Sequence, residues 1–527
     1  MKLDILIRGG MVYDGLSDSG RVADVGVLDG RLVLPPPGAP VQAARTIDAA
    51  GRAVMPGFID IHTHSDFAWL IWPNATSKLM SGITTDVAGN CGSSAFPLAG
   101  EVLQRRRAYY AKAHQLAVDW TDAAGYFARL ESTPCSVNRA VLVGHGNLRG
   151  GVVGYGNRPA TPEERGTMRA MLADGLEQGA FGMSSGLIYP PSLWGDADEL
   201  ADLAAVVSRH GGFYSSHIRG EGDTLLEAVD EFVGTLERTG CRGQLSHVKT
   251  AGRHNWHKLE ALRGRLDSAR DRGVNLLADR YPYTASCTSL SAMMLPDWAI
   301  EGGRETVLAR LANPADRARI TADILARPDH GVMARDIRVI AFGRAELDVL
   351  AGKSLEEVGR LRGQDPLQGA LDLLIEDQLE TQSVNFCMSE DNLAEIYRWP
   401  MVMVGSDYGA RDALAGGESC HPRAFGTPAA FLERFVRQQG VCDWPTAAKK
   451  LSTMAADMLG LPDRGRLAAG CRADVVVVDP AAVADRATYD KPRQTPAGIE
   501  HVLVNGVMAV ESGQFTGALP GHVLRRN

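Results

Sequence analysis

The 527-residue sequence predicts a (β/α)8 TIM-like barrel with a small β-sandwich domain built from both chain termini. Short apolar runs alternate with helical patterns through the middle of the chain, which is typical of this barrel. Both ends of the chain carry short strands separated by glycine-containing turns. Polar side chains able to bind a metal recur where the apolar runs end, and that is where such a barrel places its active site.

Eight apolar runs are predicted to form the barrel strands. They lie at 54–62, 83–90, 139–145, 180–187, 212–217, 243–247, 274–283 and 400–406. Most intervals between them carry apolar side chains every three to four residues, which predicts helices. The clearest helical intervals are 161–178, 199–210, 224–239 and 258–272. Strand and helix therefore alternate through a predicted barrel domain at 56–461.

The two ends of the chain and one long interval stand apart from this alternation. Residues 1–55 and 462–527 contain short strands with turns such as Asn505-Gly506, and each end is too short to close a core alone. We therefore expect one composite sandwich. The interval at about 288–399 is too long for a plain loop. It predicts an inserted, largely helical subdomain that covers the mouth of the barrel.

His62 and His64 end the first predicted strand, and side chains two residues apart on a strand point the same way. Such a pair alone can be a solvated strand end. Four further candidate ligands at other strand ends favour a metal site, namely Cys91, His217, His247 and Asp407. Imidazole, thiolate and carboxylate groups suit zinc or a similar divalent ion. The alternatives are a buried apolar thiol, core histidines and a helix-capping aspartate.

Composition agrees with a large globular enzyme. The net charge of −8 argues against a nucleic-acid partner, and 45% hydrophobic with 22% charged residues is ordinary for a globular protein. No apolar run approaches the length of a membrane span, and the first residues lack a signal-peptide pattern, so we expect no membrane partner and a cytoplasmic location. The eight cysteines are scattered, and only Cys91 accompanies the histidines.

Several motifs carry a family resemblance. They are Pro56–His64, Gly89-Asn-Cys-Gly92, Ser216–Arg219, Ser246–Lys249, Tyr281-Pro-Tyr283, Gly405-Ser-Asp407, His421-Pro-Arg423 and Gly465–Asp474. With these motifs the chain resembles the amidohydrolase superfamily from end to end, and within it the N-acyl-D-amino-acid deacylases, or D-aminoacylases. Gly-Asn-Cys-Gly and the late His-Pro-Arg narrow the resemblance to this branch.

The resemblance implies a metal arrangement. Cys91, His217 and His247 would hold the tighter zinc ion, while His62, His64 and Asp407 would surround a second, weaker position. Cyclic amidohydrolases of the superfamily usually bridge two metals with a carbamylated lysine, but the fourth predicted strand, 180–187, contains no lysine. The Cys91 thiolate looks like the replacement, because its negative charge partly neutralises the cation.

The resemblance also implies roles for further residues. Asp407 would act as general base and acid, and Arg423 and Lys249 would bind the substrate α-carboxylate, with ordinary ion pairs to a neighbouring loop as the alternative. The remaining candidates for substrate binding are Tyr281, Tyr283, Tyr189 and His145. The last two have simple packing as an alternative. Tyr189 and the stretch 291–295 would favour an apolar substrate side chain, with an acidic one left open.

The function expected from the sequence is zinc-dependent hydrolysis of N-acyl-D-amino acids, or closely related D-configured amides, to a carboxylate and a free D-amino acid. The preference for the D-configuration comes entirely from the resemblance. One alternative is another amidase of the superfamily, such as a D-residue dipeptidase or a cyclic amide hydrolase. Another is a non-catalytic assembly protein that keeps the barrel, although such relatives typically lose metal ligands and this chain retains all six.

Overall fold

The computed structural model describes residues 2–413, 415 and 419–526. Within these residues the strands, numbered in chain order, supply the terminal sheet, the barrel and part of the insertion. They are β1 (Lys2–Val12), β2 (Arg21–Leu28), β3 (Arg31–Val33), β4 (Gln42–Asp48), β5 (Ala53–Pro56), β6 (Phe58–Asp60), β7 (Ile83–Ala88), β8 (Asn138–Val141), β9 (Val143–Gly144), β10 (Gly182–Gly186), β11 (Phe213–His217), β12 (Arg242–Leu245), β13 (Leu276–Arg280), β14 (Ser286–Ser289), β15 (Ile337–Ala341), β16 (Gln382–Asn385), β17 (Val402–Val404), β18 (Val475–Val478), β19 (Ile499–Val504), β20 (Val507–Glu511) and β21 (Gln514–Phe515).

The α-helices surround the barrel strands and build most of the insertion. They are α1 (Ala68–Ile71), α2 (Thr76–Leu79), α3 (Gly100–His114), α4 (Ala123–Glu131), α5 (His145–Val152), α6 (Pro162–Glu177), α7 (Ala197–Arg209), α8 (Leu225–Thr239), α9 (Leu259–Asp271), α10 (Leu290–Met294), α11 (Arg304–Ala312), α12 (Pro314–Leu325), α13 (His330–Asp336), α14 (Leu355–Arg362), α15 (Pro366–Glu376), α16 (Glu390–Arg398), α17 (Arg423–Phe431), α18 (Trp444–Ala448) and α19 (Met454–Leu459). None of the helices in the described ranges combines the length and hydrophobicity needed to span a bilayer. The cytoplasmic location stays a prediction.

Parallel strands close into the predicted (β/α)8 barrel. One sheet has the order β17-β13-β12-β11-β10-β9 and a second has the order β6-β7-β8. The two meet at Leu142, because β8 pairs with β7 and β9 pairs with β10 on either side of that residue. On the other side, the Asp407 N–H after β17 donates to the His62 carbonyl after β6 at 2.8 Å. The carboxyl ends of all eight barrel strands therefore share one rim.

The predicted helices at 161–178, 199–210, 224–239 and 258–272 correspond to α6, α7, α8 and α9. Local sequence fixes their ends. The Thr161 side chain and Glu164 form a reciprocal capping box at the start of α6, and Gly240 takes the left-handed conformation that ends α8. Apolar side chains of these helices, such as Leu172 and Phe232, are buried against the strands.

Both termini contribute to one nine-stranded sheet with the order β21-β20-β19-β18-β5-β1-β2-β3, and β4 pairs with β1. Strand β5 joins the two ends, because it pairs with β1 from the amino terminus and with β18 from the carboxyl terminus. Ile7, Val27, Val475 and Leu503 are fully buried in one shared cluster. The two termini therefore build one shared sheet domain, as predicted, and its strands form a single continuous sheet.

The first predicted strand, 54–62, differs from the structure. It is divided at Gly57 into β5, which belongs to the terminal sheet, and β6, which belongs to the barrel. A side chain at Gly57 would lie 2.2 Å from the Thr84 hydroxyl, so the close crossing requires glycine. Val54 accordingly packs in the sandwich core and not behind the histidines. A continuous apolar run carries no local signal for a change of sheet.

The insertion combines the antiparallel sheet β14-β16-β15 with α10 to α15, and it has its own core around Leu311, Val339 and Leu371. The predicted bounds of 288–399 also include α16. That helix packs into the barrel core through Ile396 and Tyr397, as expected for the helix that precedes the last barrel strand. The insertion lies at the carboxyl rim of the barrel, where it shares a cavity with the candidate site.

Candidate metal centre and active site

A cavity of about 1810 Å³ lies between the carboxyl rim of the barrel and the insertion. Five of the six predicted metal ligands line it, namely His64, Cys91, His217, His247 and Asp407. The sixth, His62, is fully buried behind them. The fold therefore brings together candidates that are more than 300 residues apart in the sequence.

Cys91, His217 and His247 form a first group of possible ligands, all buried, with their ligand atoms within 4.8 Å of one another. The Cys91 Sγ lies 3.7 Å from the His247 Nε2. Neither ring nitrogen of His217 has a hydrogen-bond partner among the described residues. Leaving a buried polar group without a partner costs about 1–3 kcal/mol, so these nitrogens point to a ligand from outside the chain. One thiolate and two imidazoles are a donor set of catalytic zinc sites.

A second group consists of His62, His64, Cys91 and Asp407, again with ligand atoms within 4.8 Å of one another. Here the side chains contact each other directly. The His62 Nε2 lies 3.3 Å from the Cys91 Sγ and 3.3 Å from the Asp407 Oδ1. The His64 Nε2 lies 3.0 Å from the same carboxylate oxygen, and its side chain is 36% exposed. Cys91 thus belongs to both groups.

Three of the candidate ligands at this rim have a strained backbone. Cys91, His247 and Asp407 all have a positive φ, of 51°, 35° and 52° respectively. This left-handed conformation is uncommon for residues other than glycine, and it persists only where the surroundings enforce it. Gly92 beside Cys91 allows the close packing, since a side chain there would lie 2.8 Å from the Gly186 backbone nitrogen.

Neighbouring charges favour the thiolate form of Cys91. Burial by itself raises the pKa of the thiol, but the charge of His62 and the nearby imidazoles of His217 and His247 outweigh it and hold that pKa well below its ordinary value. Burial likewise lowers the pKa of His62, whereas the charges of Asp279 and Cys91 raise it well above its ordinary value. A thiolate is the form of cysteine that binds metals.

Asp407 is paired with Arg423, whose Nη1 lies 2.9 Å from the Asp407 Oδ2. Burial raises the pKa of this carboxyl group, but the charges of Arg423 and His62 hold it well below the usual range. Asp407 is therefore ionised. Arg423 is itself held by His421, whose Nδ1 accepts from the Arg423 N–H at 3.0 Å.

Arg423 and Tyr281 present unused donors in the same place. The Arg423 Nε and the Tyr281 hydroxyl are buried without a hydrogen-bond partner among the described residues. The guanidinium carbon of Arg423 lies 4.5 Å from the centre of the Tyr281 ring. Both side chains line the cavity, so these donors are available to a negatively charged ligand.

Asp279 and Glu221 are site residues that the sequence reasoning missed. The Asp279 Oδ1 lies 3.0 Å from the His62 Nδ1 and accepts from the His247 N–H at 3.0 Å, so one carboxylate orients two candidate ligands. The Glu221 Oε1 lies 2.8 Å from the His247 Nδ1 and accepts from Lys249. Asp279 carried a usable signal, because it is a carboxylate inside the predicted strand 274–283. Glu221 carried none that distinguishes it from a surface residue.

Lys249 and Tyr189 lie on the cavity wall. The Lys249 Nζ contacts the His247 Nδ1 at 2.8 Å in addition to Glu221. The Tyr189 ring centre lies 5.3 Å from that of His217, and the Tyr189 hydroxyl lies 2.9 Å from the Thr288 hydroxyl on β14. Tyr189 thus connects the barrel rim to the insertion.

Tyr283 and His145 are not among the residues that line the cavity, and their contact with substrate stays a prediction. The Tyr283 hydroxyl donates to Asp485 at 2.7 Å. Strand β13 ends at Arg280, so Tyr283 lies outside the strand and faces the carboxyl-terminal segment. His145 is fully buried between the Ser192 hydroxyl at 2.9 Å and Glu199 at 2.8 Å. It belongs to a packed polar network beside the Cys91 loop.

Comparison with known proteins agrees with this geometry. The model of the Amidohydrolase family matches residues 45–510. The chain is 37% identical to an N-acyl-D-glutamate deacylase of Alcaligenes xylosoxydans xylosoxydans, over 100% of this chain and 97% of that protein. It is 31% identical to a D-aminoacylase of the same organism, over 99% of this chain and 98% of that protein.

Solved structures show the same relationship. An N-acyl-D-glutamate deacylase from Bordetella bronchiseptica, complexed with zinc and a phosphonate mimic of the tetrahedral intermediate, is 34% identical, covers 100% of both chains and has a TM-score of 0.83. A D-aminoacylase with a binuclear metal centre is 31% identical over 99% of this chain and 100% of that chain, also with a TM-score of 0.83. The chain therefore belongs to the amidohydrolase family.

Proposed function

We propose that this protein is a zinc-dependent deacylase that hydrolyses the amide bond of N-acyl-D-amino acids to a carboxylate and a free D-amino acid. The observation that carries the proposal is the buried group of Cys91, His217 and His247, in which neither His217 nitrogen has a hydrogen-bond partner among the described residues, beside the ionised Asp407. These residues would hold the zinc ion. Zinc in such a site supplies Lewis acidity, which makes an amide carbonyl more electrophilic and water more acidic.

Asp407 is the proposed general base and acid. It lines the cavity as a carboxylate, and its left-handed backbone directs the side chain towards His62 and His64 at the rim. Glu221 also lines the cavity, but its charge is engaged by Lys249 and His247. Asp407 would accept a proton from the attacking water and return it to the amine that leaves.

Arg423, Tyr281 and Lys249 are the proposed binding site for the α-carboxylate. The unused donors of Arg423 and Tyr281 lie together on the cavity wall, and Lys249 lies 5.9 Å from the centre of the Tyr281 ring. A free α-carboxylate beside the scissile amide distinguishes an N-acyl amino acid from other amides. Charge-assisted hydrogen bonds to it contribute roughly 1.5–3 kcal/mol each.

The relatives support the substrate class and its configuration. The curated proteins that match over nearly the whole chain are named as deacylases of N-acyl-D-glutamate and N-acyl-D-aspartate and as a D-aminoacylase. The zinc ion and the phosphonate mimic in the Bordetella protein support a zinc-dependent attack on an amide carbonyl. We propose one tightly bound zinc ion and a weaker second position.

The direct test combines metal analysis with a substrate panel. Purified protein is assayed for zinc and for release of free amino acid from N-acetyl-D- and N-acetyl-L-amino acids, with D-configured dipeptides and cyclic amides alongside. We expect bound zinc and turnover confined to the N-acetyl-D-amino acids. Faster turnover of a cyclic amide or a dipeptide would replace the proposal by another amidase activity. Absence of any hydrolysis by the zinc-loaded protein would refute it.

A further inference from the structure

Two arginines line the cavity beside the metal-ligand groups without taking part in them. Arg106 comes from α3, and Arg411 comes from the segment after β17, four residues beyond Asp407. Among the described residues neither has a carboxylate within 4.0 Å. By contrast, the cavity cations Arg423 and Lys249 are each paired with a carboxylate.

Both guanidinium groups are held in place by contacts that leave donors free. The Arg106 Nη2 donates to the Ser93 hydroxyl at 2.7 Å, and its guanidinium carbon lies 5.7 Å from the Phe67 ring centre. Arg411 donates to its neighbour's carbonyl at 3.2 Å and lies 4.6 Å from the Trp72 ring centre and 5.4 Å from that of Tyr408. Stacking of this kind orients a guanidinium group for planar recognition of a carboxylate.

The two arginines lie on the same side of the site. Burial raises the pKa of Tyr110 to about 12. The positive charges of Arg106 and Arg411 both lower this pKa, so both guanidinium groups lie close to the Tyr110 hydroxyl. Ser93, the partner of Arg106, follows Cys91 by two residues. A side chain at Gly409 would lie 2.7 Å from the His64 carbonyl and 3.6 Å from the Arg411 Nη1. Arg411 therefore lies beside His64 and Arg106 beside the Cys91 loop, both at the reacting end of the cavity.

We propose that Arg106 and Arg411 bind a second carboxylate on the substrate, so that this enzyme prefers dianionic N-acyl-D-amino acids. The inference rests on the proposed function and adds the charge of the substrate. The second carboxylate belongs either to the side chain of the D-residue or to the acyl group. Of the stretch 291–295, which favoured an apolar side chain, only Ala292 and Met293 line the cavity, whereas Met294 and Leu295 are buried in the insertion.

The test compares each dianionic substrate with a neutral substrate of the same shape. N-acetyl-D-glutamate is paired with N-acetyl-D-glutamine, and N-succinyl-D-alanine is paired with N-succinamoyl-D-alanine. We expect kcat/KM to be about tenfold or more higher for the dianion in at least one pair, from one or more charge-assisted hydrogen bonds. The pair that shows the preference identifies the source of the carboxylate.

Variants then assign the preference to the arginines. Arg411→Met and Arg106→Met should each lower kcat/KM for the preferred dianion about tenfold and leave the neutral counterpart within about twofold. Arg344→Met is the matched control, because Arg344 lines the cavity from the insertion and donates to the Glu376 carbonyl at 3.1 Å. It should leave the preference unchanged.

Equal rates for dianionic and neutral substrates in both pairs would overturn this inference while leaving the deacylase function in place. A preference that survives both arginine substitutions would also overturn it. Failure of the proposed function is distinguishable, because no N-acyl-D-amino acid of either charge would then be hydrolysed.

A separate observation concerns Lys78, which is fully buried. Its Nζ donates to the Asp60 Oδ2, the Ser406 hydroxyl and the Tyr408 carbonyl, each at 2.8 Å. Ser406 and Tyr408 are the residues on either side of Asp407. The Asp60 Oδ1 in turn accepts from the Ser406 N–H at 2.9 Å. Lys78 and Asp60 therefore hold both neighbours of the proposed general base.

We infer that Lys78 is a positioning residue for Asp407. The left-handed backbone of Asp407, with a φ of 52°, is unfavourable for an aspartate unless its neighbours are fixed. A lysine with three oxygen partners supplies that restraint. Lys78 does not line the cavity, so it acts through the backbone and not on the substrate.

The control for this role is Lys450, a second buried lysine at the opposite end of the same strand. Its Nζ donates to the carbonyls of Trp399 and Val402 at 2.6 and 2.9 Å, at the amino end of β17. Lys78→Met should lower kcat by roughly tenfold or more with KM within about threefold, because general acid–base help depends on alignment. Lys450→Met should lower the melting temperature and leave kcat within about twofold.

A double variant separates positioning from general destabilisation. If Lys78 acts through Asp407, then Asp407→Asn with Lys78→Met should lose no more than about twofold in kcat beyond Asp407→Asn alone. If Lys78→Met does not fold, Ser406→Ala is a milder substitute, because it removes only one of the three acceptors of Lys78. It should lower kcat several-fold with KM unchanged. Multiplicative losses in the double variant, or equal kcat losses for the two lysine variants, would overturn the inference.

Discussion

The two groups of possible ligands that share Cys91 differ in how well the protein satisfies them. In the first group, His217 has two buried ring nitrogens without a hydrogen-bond partner among the described residues, and the nearest carboxylate oxygen, from Glu221, lies 3.8 Å from its Nε2. In the second, His62 and His64 contact Asp407 at 3.3 and 3.0 Å, and Asp407 is further paired with Arg423. In the first group an ion would supply the missing partner of the His217 nitrogens. The second group is already held together by contacts between its own side chains.

This difference explains how one rim can both hold a metal and move a proton. A carboxylate that binds a zinc ion tightly is a poor proton shuttle, so Asp407 serves that role best when the second position is weakly occupied. We therefore assign the tight zinc ion to Cys91, His217 and His247. Four substitutions test this contrast between the two groups.

The largest effect is expected for Cys91→Ala, because Cys91 belongs to both groups. The variant should lose its bound zinc and its activity should fall to background, while its circular dichroism spectrum stays close to that of the wild type. Zinc content and deacylase activity are measured on the same preparation. Full zinc content in this variant would remove Cys91 from the ligand set.

Asp407→Asn should separate proton transfer from metal binding. The amide keeps the size of the side chain but cannot take up a proton, so kcat should fall by at least about a hundredfold. The tightly bound zinc ion should remain, since Asp407 lies outside the first group. Turnover near the wild-type rate with metal still bound would mean that another group acts as the base.

Arg423→Met should lower kcat/KM for an N-acyl-D-amino acid by about ten- to a hundredfold, through the loss of charge-assisted hydrogen bonds to the α-carboxylate. Arg423 also pairs with Asp407, so part of the loss will appear with the methyl ester of the same substrate. The loss on the free acid should exceed that on the ester by about tenfold. Equal losses on both would show that Arg423 only supports Asp407.

The smallest effect is expected for His64→Asn. The His64 side chain is 36% exposed and belongs only to the second group. Tightly bound zinc should be unchanged, and kcat should fall by no more than roughly tenfold, less than for Asp407→Asn. Loss of the tight zinc ion from this variant would assign it to the second group and reverse the contrast.

The sequence predicted the parts of this site that depend on strand order. Cys91, His217, His247 and Asp407 each lie at or just beyond the end of a barrel strand. Parallel strands of a closed barrel end at one rim, so their convergence follows from topology. The composite sandwich was predictable for a similar reason, because neither terminus is long enough to bury its own apolar strands.

The sequence could not predict where a side chain points beyond the end of a strand, or which residues far apart in the chain contact each other. Glu221 lies in a loop and reaches the site through contacts with Lys249 and His247, which are distant in the sequence, so nothing local marks it as a site residue. Tyr281 and Tyr283 are two residues apart, yet one faces the cavity and the other contacts Asp485. Strand periodicity would place them on the same side, but β13 ends at Arg280 and the rule no longer applies.

The measurement that tests the central claim most directly is X-ray absorption at the zinc edge on the purified protein. The assignment to Cys91, His217 and His247 predicts one zinc–sulfur distance of about 2.3 Å together with zinc–nitrogen distances of about 2.0–2.1 Å. The sulfur contribution should disappear from any zinc that Cys91→Ala retains, and His64→Asn should leave the spectrum unchanged. A wild-type spectrum with only nitrogen and oxygen neighbours would contradict the account.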